Sequence, residues 1–299
     1  MKVLISGATG LIGREVSARL RQQGHQVSCL VRNATRATTN DLVWWPSQPL
    51  PAAALANYDA IIHLAGRPVA TTWTTKARQE IRDSRVLGTA NLAAAAAEAF
   101  RSNGTPHTMI CASAIGYYGS RGDEELLEES TPGMGFLADV CRQWEDAAKP
   151  AIEAGIRVAQ LRTSIVLSPA GGALKQMLPI FRLGLGGRLG SGRQWWSWTS
   201  LNDATRAYLF ALENSQLHGP MNLATPHAIT NAEFTRTLAH VLHRPAFFAV
   251  PAIALRALAG EMAEEMLLSS QCVLPNKLLA HGFRFEDADL ETALRKMLG

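Results

Sequence analysis

Short apolar runs alternate with helical patterns through the first 165 residues of the chain. The runs are bounded by turn residues and predict strands at residues 2–6, 26–31, 60–64, 107–112 and 158–161. Amphipathic or Ala-rich stretches between them predict helices at residues 10–23, 74–100 (in two pieces) and 137–154. This alternation is typical of β-α-β units, which place their strands side by side in a parallel sheet.

The amino-acid composition of the chain changes after Pro169. Residues 183–198 are rich in Gly and Trp, a helical pattern follows at residues 203–213, and the tail is punctuated by proline. We therefore predict a sheet domain at residues 1–168, with part of 198–228 returning to it. Residues 169–299 are predicted to form a smaller C-terminal lobe.

Composition and charge narrow the range of functions. The chain has 299 residues, 47% of them hydrophobic, and 29 basic against 25 acidic residues give a net charge of +4. The basic residues are scattered and do not form a stripe, so nucleic acid is not an expected partner. The most apolar later stretch, residues 247–258, contains Pro251 and Arg256, so no membrane segment is expected.

The chain has four cysteines, none of them in a C-x-x-C pair, and their spacing indicates the redox state of the cellular compartment. Wide spacing along the chain is typical of reduced, buried thiols and not of a disulfide framework. The sequence therefore predicts a cytoplasmic protein. Because His240 and His243 lack a third residue at metal-ligand spacing, we predict no metal site.

The strongest motif is a glycine-rich turn between the first predicted strand and the first helix. Gly7 and Gly10 leave room for a pyrophosphate, Gly13 lets the helix pack close to the sheet, and the helix N-terminus offers free N–H groups. The alternative is a purely structural turn. We predict a dinucleotide site on a doubly wound parallel Rossmann sheet, with these residues in contact with the cofactor: Gly7, Thr9, Gly10, Leu11, Ile12 and Gly13.

The end of the second predicted strand indicates which dinucleotide binds. A site selective for NAD holds a carboxylate there, whereas this chain has Val31 followed by Arg32, with Arg36 four residues further on. A guanidinium is suited to a 2′-phosphate. The residues therefore favour NADP(H), and the alternative is two surface arginines that bind nothing.

Several segments together resemble an extended short-chain dehydrogenase/reductase over nearly the whole chain. They are residues 7–13, 59–66, 113–119, 161–167, 190–194 and 219–223. Residues 181–187 and the distinctive C-terminal segment are more narrowly similar to the atypical branch of that family, which is related to the nucleoside-diphosphate-sugar epimerases. The resemblance implies cofactor contacts at these further positions: Leu64, Ala65, Gly66, Arg85 and Ile165.

The chain departs from the family at its catalytic positions. The family's Tyr-x-x-x-Lys pair falls on Leu137 and Cys141, and Ala114 stands at the usual serine position, with Ser113 one residue earlier. No tyrosine of the chain has a lysine four residues later. We therefore take Ser113, Tyr117 and Tyr118 as the candidate catalytic residues.

A second departure concerns the substrate. Where nucleotide-sugar enzymes have an arginine for the diphosphate, this chain has Trp196, in a cluster with Trp195 and Trp198. The cluster could stack on a flat or apolar ligand or form the core of the second lobe. The expected function is an NADP(H)-dependent reductase or epimerase acting on a small carbonyl or sugar-type molecule. The alternative is an NADP-binding sensor that has lost catalysis. The sequence is also compatible with a homodimer.

Overall fold

A computed structural model describes the whole chain, residues 1–299, except for the side chain of Arg36. Its strands are, in chain order, β1 (Lys2–Ser6), β2 (Gln26–Val31), β3 (Leu42–Val43), β4 (Ala60–His63), β5 (Thr108–Ala114), β6 (Glu125–Leu126), β7 (Arg157–Thr163), β8 (Ile165–Leu167), β9 (Gly187–Leu189), β10 (Trp195–Trp196), β11 (Trp198–Ser200), β12 (Gly219–Leu223), β13 (Ile229–Thr230), β14 (Phe248–Val250) and β15 (Cys272–Val273).

The α-helices are α1 (Leu11–Gln22), α2 (Thr75–Asn103), α3 (Phe136–Asp146), α4 (Lys149–Glu153), α5 (Gly172–Arg182), α6 (Leu201–Glu213), α7 (Asn231–Val241), α8 (Ala252–Ala259), α9 (Asn276–Ala280) and α10 (Leu290–Leu298). A 3₁₀ turn at Ile115–Tyr118 follows β5 directly, and a π-helical turn spans Ala263–Leu267.

The main sheet has seven strands in the order β12-β7-β5-β4-β1-β2-β3, and all of its pairs are parallel. The strand order reverses between β1 and β4. In such sheets the ligand binds beyond the carboxyl ends of the strands at this reversal. The fold therefore places the end of β1, the glycine turn and the end of β4 in the expected binding region.

Helices cover both faces of the sheet. On one face α1 and α6 pack through buried side chains such as Val16, Leu20 and Tyr208, and on the other α2 and α4 pack through Leu92 and Ala151. Burial on both faces explains why the strand sequences are continuously apolar. The predicted doubly wound parallel sheet is confirmed.

A separate hydrophobic core lies outside the main sheet, within residues 165–298. It joins α5, α7 and α10 through side chains that include Leu178, Phe234 and Leu294. Strand β12 comes from the later part of the chain and pairs with β7 of the main sheet. The division into two domains stays a prediction.

Two predicted helices differ from those observed. Residues 74–100 were expected in two pieces, but α2 is one continuous helix whose Thr74 side chain accepts the N–H of Ala77 and whose end is set by left-handed Gly104. Residues 137–154 were expected as one helix and form two, because Pro150 lies in the first turn of α4. Proline fits the first turn of a helix, whereas in a helix interior it removes a backbone hydrogen bond and clashes with the preceding turn.

Candidate functional site

The glycine turn between β1 and α1 is held tightly by backbone packing. Gly7 has φ +73°, and a Cβ there would lie 2.7 Å from the carbonyl carbon of Leu64. A Cβ on Gly13 would lie 2.2 Å from the Gly7 oxygen, whereas one on Gly10 would meet only that oxygen at 3.2 Å. Gly7 and Gly13 are therefore required by the fold itself. Gly10 faces open space and is free to approach a ligand.

The N-terminus of α1 is suited to an anion. Its N-cap is Gly10, which offers no side-chain cap, and the first turn consists of Leu11, Ile12 and Gly13. The N–H groups of a first helical turn have no partner within the helix, and they carry the positive end of the helix dipole. All three residues line the cavity described next. The arrangement fits a phosphate or pyrophosphate.

A cavity of about 490 Å³ extends from this turn across the carboxyl ends of the strands, with a mainly apolar lining. Its volume is in the range of small-molecule sites. Of the predicted site residues it brings together Gly7, Gly10, Leu11, Ile12, Gly13, Leu64, Arg85, Ser113 and Ile165. The remaining described cofactor residues lie in the turn and at the ends of β2 and β4, outside the lining: Thr9, Val31, Arg32, Ala65 and Gly66.

The end of β2 presents Arg32 to solvent, after half-buried Val31. The side chain of Arg36 lies outside the described part of the structure. Asp41 lies near this strand, but one of its carboxylate oxygens accepts the N–H of Cys29 (2.7 Å) and the other bonds to Thr38. Both carboxylate oxygens of Asp41 therefore already accept hydrogen bonds from other residues of the protein.

Arg85 contributes a guanidinium to the cavity from α2. Its Nη1 donates to the carbonyl of Ile81 (3.1 Å), and its guanidinium carbon lies 5.1 Å from the ring centroid of Trp144. A Cβ built on Gly66 would lie 3.2 Å from the guanidinium carbon, so the charge sits beside the end of β4. Burial lowers the pKa of Arg85, although an arginine stays charged at neutral pH. The position suits an anionic oxygen of a bound ligand.

Ser113, at the end of β5, belongs to a buried polar network. Its hydroxyl donates to Oε1 of Glu145 at 2.6 Å, and Arg162 pairs with both carboxylate oxygens of Glu145 at 2.8 Å. Burial lowers the pKa of Arg162, but hydrogen bonds and the charge of Glu145 outweigh burial and raise it overall. The Arg162 guanidinium therefore stays charged, and the hydroxyl proton of Ser113 is engaged in its hydrogen bond to Glu145.

The two candidate tyrosines lie beside this network and not in the described lining of the cavity. Tyr118 is fully buried, and its hydroxyl bonds to Asn222 (2.7 Å) and Arg162 (2.8 Å). Burial raises the pKa of Tyr118 to about 12. The ring of Tyr117 lies under the Arg162 guanidinium, 3.5 Å from centroid to carbon. The hydroxyl of Tyr118 is therefore held inside the protein, away from the cavity, and the catalytic assignment of both tyrosines stays a prediction.

Three residues that the resemblance aligns with the family's catalytic positions line the cavity. They are Ala114, Leu137 and Cys141. Burial, with a contribution from the charge of Glu145, raises the pKa of the Cys141 thiol to about 12. Cys141 is therefore a neutral thiol at physiological pH. It therefore carries no positive charge, unlike the lysine that the resemblance implies for this position.

The tryptophan cluster divides between the two roles expected for it. Trp196 packs on Phe234 in the core that joins α5, α7 and α10, with ring centroids 5.5 Å apart, and also lines the cavity. Trp195 lines the cavity and donates its indole N–H to Asp123 (2.8 Å). Trp198 is buried in the core. Two of the three tryptophans can therefore contact a ligand.

Sequence reasoning missed the contribution of the C-terminal segment. The cavity lining also includes four residues of this segment that no motif marks: Glu265, Met266, Ser269 and Gln271. It also missed the ion pair of Glu145 with Arg162. Here a signal was available, because an arginine inside the apolar run of a central strand requires a buried partner.

His63 lies at the end of β4 and is packed inside the protein. It is completely buried, and its Nδ1 lies 2.6 Å from the hydroxyl of Ser6. Burial lowers the pKa of His63 from 6.5 to about 4. The imidazole is therefore neutral in the folded protein at neutral pH.

This environment predicts a pH-dependent stability. Below pH 6.5 the unfolded chain protonates His63, while the folded protein keeps it neutral down to about pH 4. The free energy of unfolding should therefore decrease by about 3 kcal/mol as the pH falls through this window. Urea unfolding between pH 7.5 and 4 measures it. His63→Asn should flatten this decrease and His107→Asn, at an exposed position, should not; an unchanged slope in His63→Asn would contradict the assignment.

No described helix is both long and apolar enough to span a lipid bilayer.

The fold and the site together define the class of protein. A glycine turn at the carboxyl end of β1, on a parallel sheet that reverses its strand order there, is a dinucleotide-binding fold of the short-chain dehydrogenase/reductase type.

Comparisons with known proteins agree with this class. Residues 3–224 match the model of the NAD dependent epimerase/dehydratase family, and the chain belongs to that family. Residues 250–297 match a domain of unknown function, DUF1731.

Relatives cover nearly the whole chain. The epimerase family protein Mb2239 of Mycobacterium bovis is 44% identical over 98% of this chain and 96% of its own. The crystal structure of the human epimerase family protein SDR39U1 with NADPH superposes with a TM-score of 0.88, at 31% identity and 99% coverage of both chains. A nucleoside-diphosphate sugar epimerase from Corynebacterium glutamicum has a TM-score of 0.83 at 36% identity, and the match covers all of this chain and 58% of that one.

Proposed function

We propose that this protein is an NADP(H)-dependent oxidoreductase that acts on a small carbonyl compound or the corresponding alcohol. The observation that carries the proposal is the continuous cavity between the α1 N-terminus and Ser113, because it joins a phosphate site to the ends of β5 and β7. When bound, NADP(H) supplies or accepts a hydride. The human relative crystallised with NADPH supports this choice of cofactor.

The residues of the site fit the cofactor in three places. The α1 N-terminus binds the pyrophosphate beside Gly10, where the backbone leaves open space. Arg32 binds the 2′-phosphate at the end of β2. Ile165 and Ser113 bound the far end of the cavity, and Arg85 adds a positive charge between the two ends.

Cofactor preference tests the role of Arg32. NADPH should bind at least ~10-fold more tightly than NADH, which corresponds to about 1.4 kcal/mol. Arg32→Ala should remove this preference by weakening NADPH alone, because only NADPH carries the 2′-phosphate. Titration calorimetry with both cofactors measures the effect, and Arg101→Ala, at an exposed position in the last turn of α2, is the matched control. Equal affinities in the unmodified protein would overturn the assignment.

A second candidate function is an NADP(H)-binding sensor without turnover. The observation that favours it is the presence of Ala114, Leu137 and Cys141 at the catalytic positions, because none of these side chains transfers a proton readily at neutral pH. NADPH oxidation with a panel of carbonyl compounds and nucleotide sugars separates the two functions. Turnover with any of them supports the enzyme, and NADPH binding without turnover supports the sensor.

The compartment proposed is the cytoplasm. All four cysteines, Cys29, Cys111, Cys141 and Cys272, are buried free thiols. Free thiols are typical of reducing compartments.

A further inference from the structure

The C-terminal segment, residues 250–297, forms one wall of the cavity. Its π-helical turn at Ala263–Leu267 brings Glu265 and Met266 to the lining, and Ser269 and Gln271 follow from the next loop. Single π-helical turns occur frequently at functional sites, because they displace side chains from the regular helical register. The cavity of this protein is therefore incomplete without a segment that has no assigned role.

Glu265 connects this segment to the opposite wall. Its carboxylate accepts the N–H of Phe136 at 2.8 Å and the N–H of Leu137 at 2.7 Å, so it caps the N-terminus of α3. The N-cap residue itself is Gly135, at φ 112°, which has no side chain to do this. Since α3 carries Leu137 and Cys141 into the cavity, Glu265 fixes the position of that wall.

Gln271 makes a second connection, on the other side of the cavity. Its side-chain amide donates to the carbonyls of Ile115 and Gly119, both at 3.0 Å, and its backbone N–H donates to Trp195. The 3₁₀ turn after β5 and the strand that carries Trp195 are thus held by one residue. An ion pair between Glu261 and Arg78 ties the segment to α2 as well.

We propose that the cavity wall formed by residues 265–271 selects an uncharged, mainly apolar carbonyl compound as the substrate. This inference rests on the proposed oxidoreductase function. Met266 supplies the selecting surface, together with Trp195 and Leu137 on the facing walls. Glu265 is a positioning residue that holds the surface in place.

Charge in the cavity supports this substrate class. Arg85 is the one arginine or lysine among the described lining residues, and it lies beside the end of β4, on the cofactor side. The C-terminal wall carries the carboxylate of Glu265, which repels a phosphate or carboxylate on a substrate. Trp195 and Trp196, which also line the cavity, carry no charge. A sugar diphosphate would therefore leave its charges without partners.

Ligand binding to the complex with NADP⁺ tests the proposal with acetophenone as an apolar probe and UDP-glucose as a charged one. Ligand-observed NMR should detect acetophenone and not UDP-glucose. Met266→Trp should weaken acetophenone binding at least ~10-fold by filling the cavity, while NADP⁺ affinity stays within about twofold. Binding of UDP-glucose in preference to acetophenone, no binding of acetophenone, or an unchanged affinity in Met266→Trp would each overturn the proposal.

Hydrogen exchange tests the positioning role of Glu265 independently of activity. Glu265→Ala should increase exchange of the Phe136 and Leu137 amides at least ~10-fold, and Glu265→Gln, which keeps one acceptor, should increase it less. Glu264→Ala, on the exposed side of the same turn, is the control and should leave both amides unchanged. Equal exchange in all variants would overturn this role. Failure of the unmodified protein to bind NADP⁺ or NADPH would instead disprove the proposed function.

Discussion

Gly10→Val is expected to abolish measurable NADPH binding without unfolding the protein. Gly10 has φ −73°, which a branched residue can adopt, and its Cβ would meet only the Gly7 oxygen at 3.2 Å. The two γ-methyl groups of valine would occupy the space in front of the α1 N-terminus, where the pyrophosphate binds. We expect a loss of at least ~100-fold in affinity, or about 2.8 kcal/mol. Titration calorimetry measures it, and circular dichroism verifies the fold.

Two further variants make this experiment specific. Gly10→Ala adds only the Cβ and should weaken binding much less than valine. Gly13→Ala, three residues later, places a Cβ 2.2 Å from the Gly7 oxygen and should lower the unfolding temperature together with NADPH affinity. A folded Gly10→Val protein that retained NADPH affinity would show that the turn is structural only.

Glu145→Gln is expected to produce a large loss of stability, about 3–5 kcal/mol. The substitution leaves the Arg162 guanidinium charged inside the protein, where its side chain is 3% exposed, without the carboxylate that neutralises it. It also weakens the bond from Ser113. Urea unfolding at pH 7.5 measures the loss.

An ion pair on the same helix provides the control. Arg142 and Asp139 are 2.9 Å apart, but their side chains are 55% and 59% exposed. Asp139→Asn should therefore cost less than about 1 kcal/mol. The double variant Glu145→Gln with Arg162→Gln should lose less than the sum of the two single variants, because it removes the unpaired charge. A loss below about 1 kcal/mol for Glu145→Gln would contradict the assignment of a buried, essential pair.

The sheet and the cofactor turn could be predicted from local sequence because both depend on local patterns. Strands buried on both faces read as continuous apolar runs, and the observed β1 and β2 have the predicted bounds. The glycine turn could be recognised because a backbone that approaches a phosphate excludes side chains. The continuity of helices was harder to predict. Residues 74–100 were predicted as two pieces, but the Ala-rich second half of α2 continues the helix of the first half without a break.

The catalytic end of the site could not be predicted in the same way. Tyr117 and Tyr118 follow β5 directly in sequence, but the 3₁₀ turn directs Tyr118 toward Asn222 and Arg162. Which way a side chain points after a strand depends on the residues that receive it. Here these residues come from β7 and β12, about 40 and 100 positions further along the chain.

The sequence by itself determined the parallel sheet, the dinucleotide turn and the absence of the Tyr-x-x-x-Lys pair, because each is a property of residue types at short spacing. Only the tertiary structure showed which glycine faces open space, that Ser113 is bound to Glu145, and that Glu265 and Met266 enclose the cavity. Glu265 lies 128 residues from Leu137, whose N–H it accepts. Contacts across such distances arise when separate elements pack together, and no local pattern in the chain encodes them.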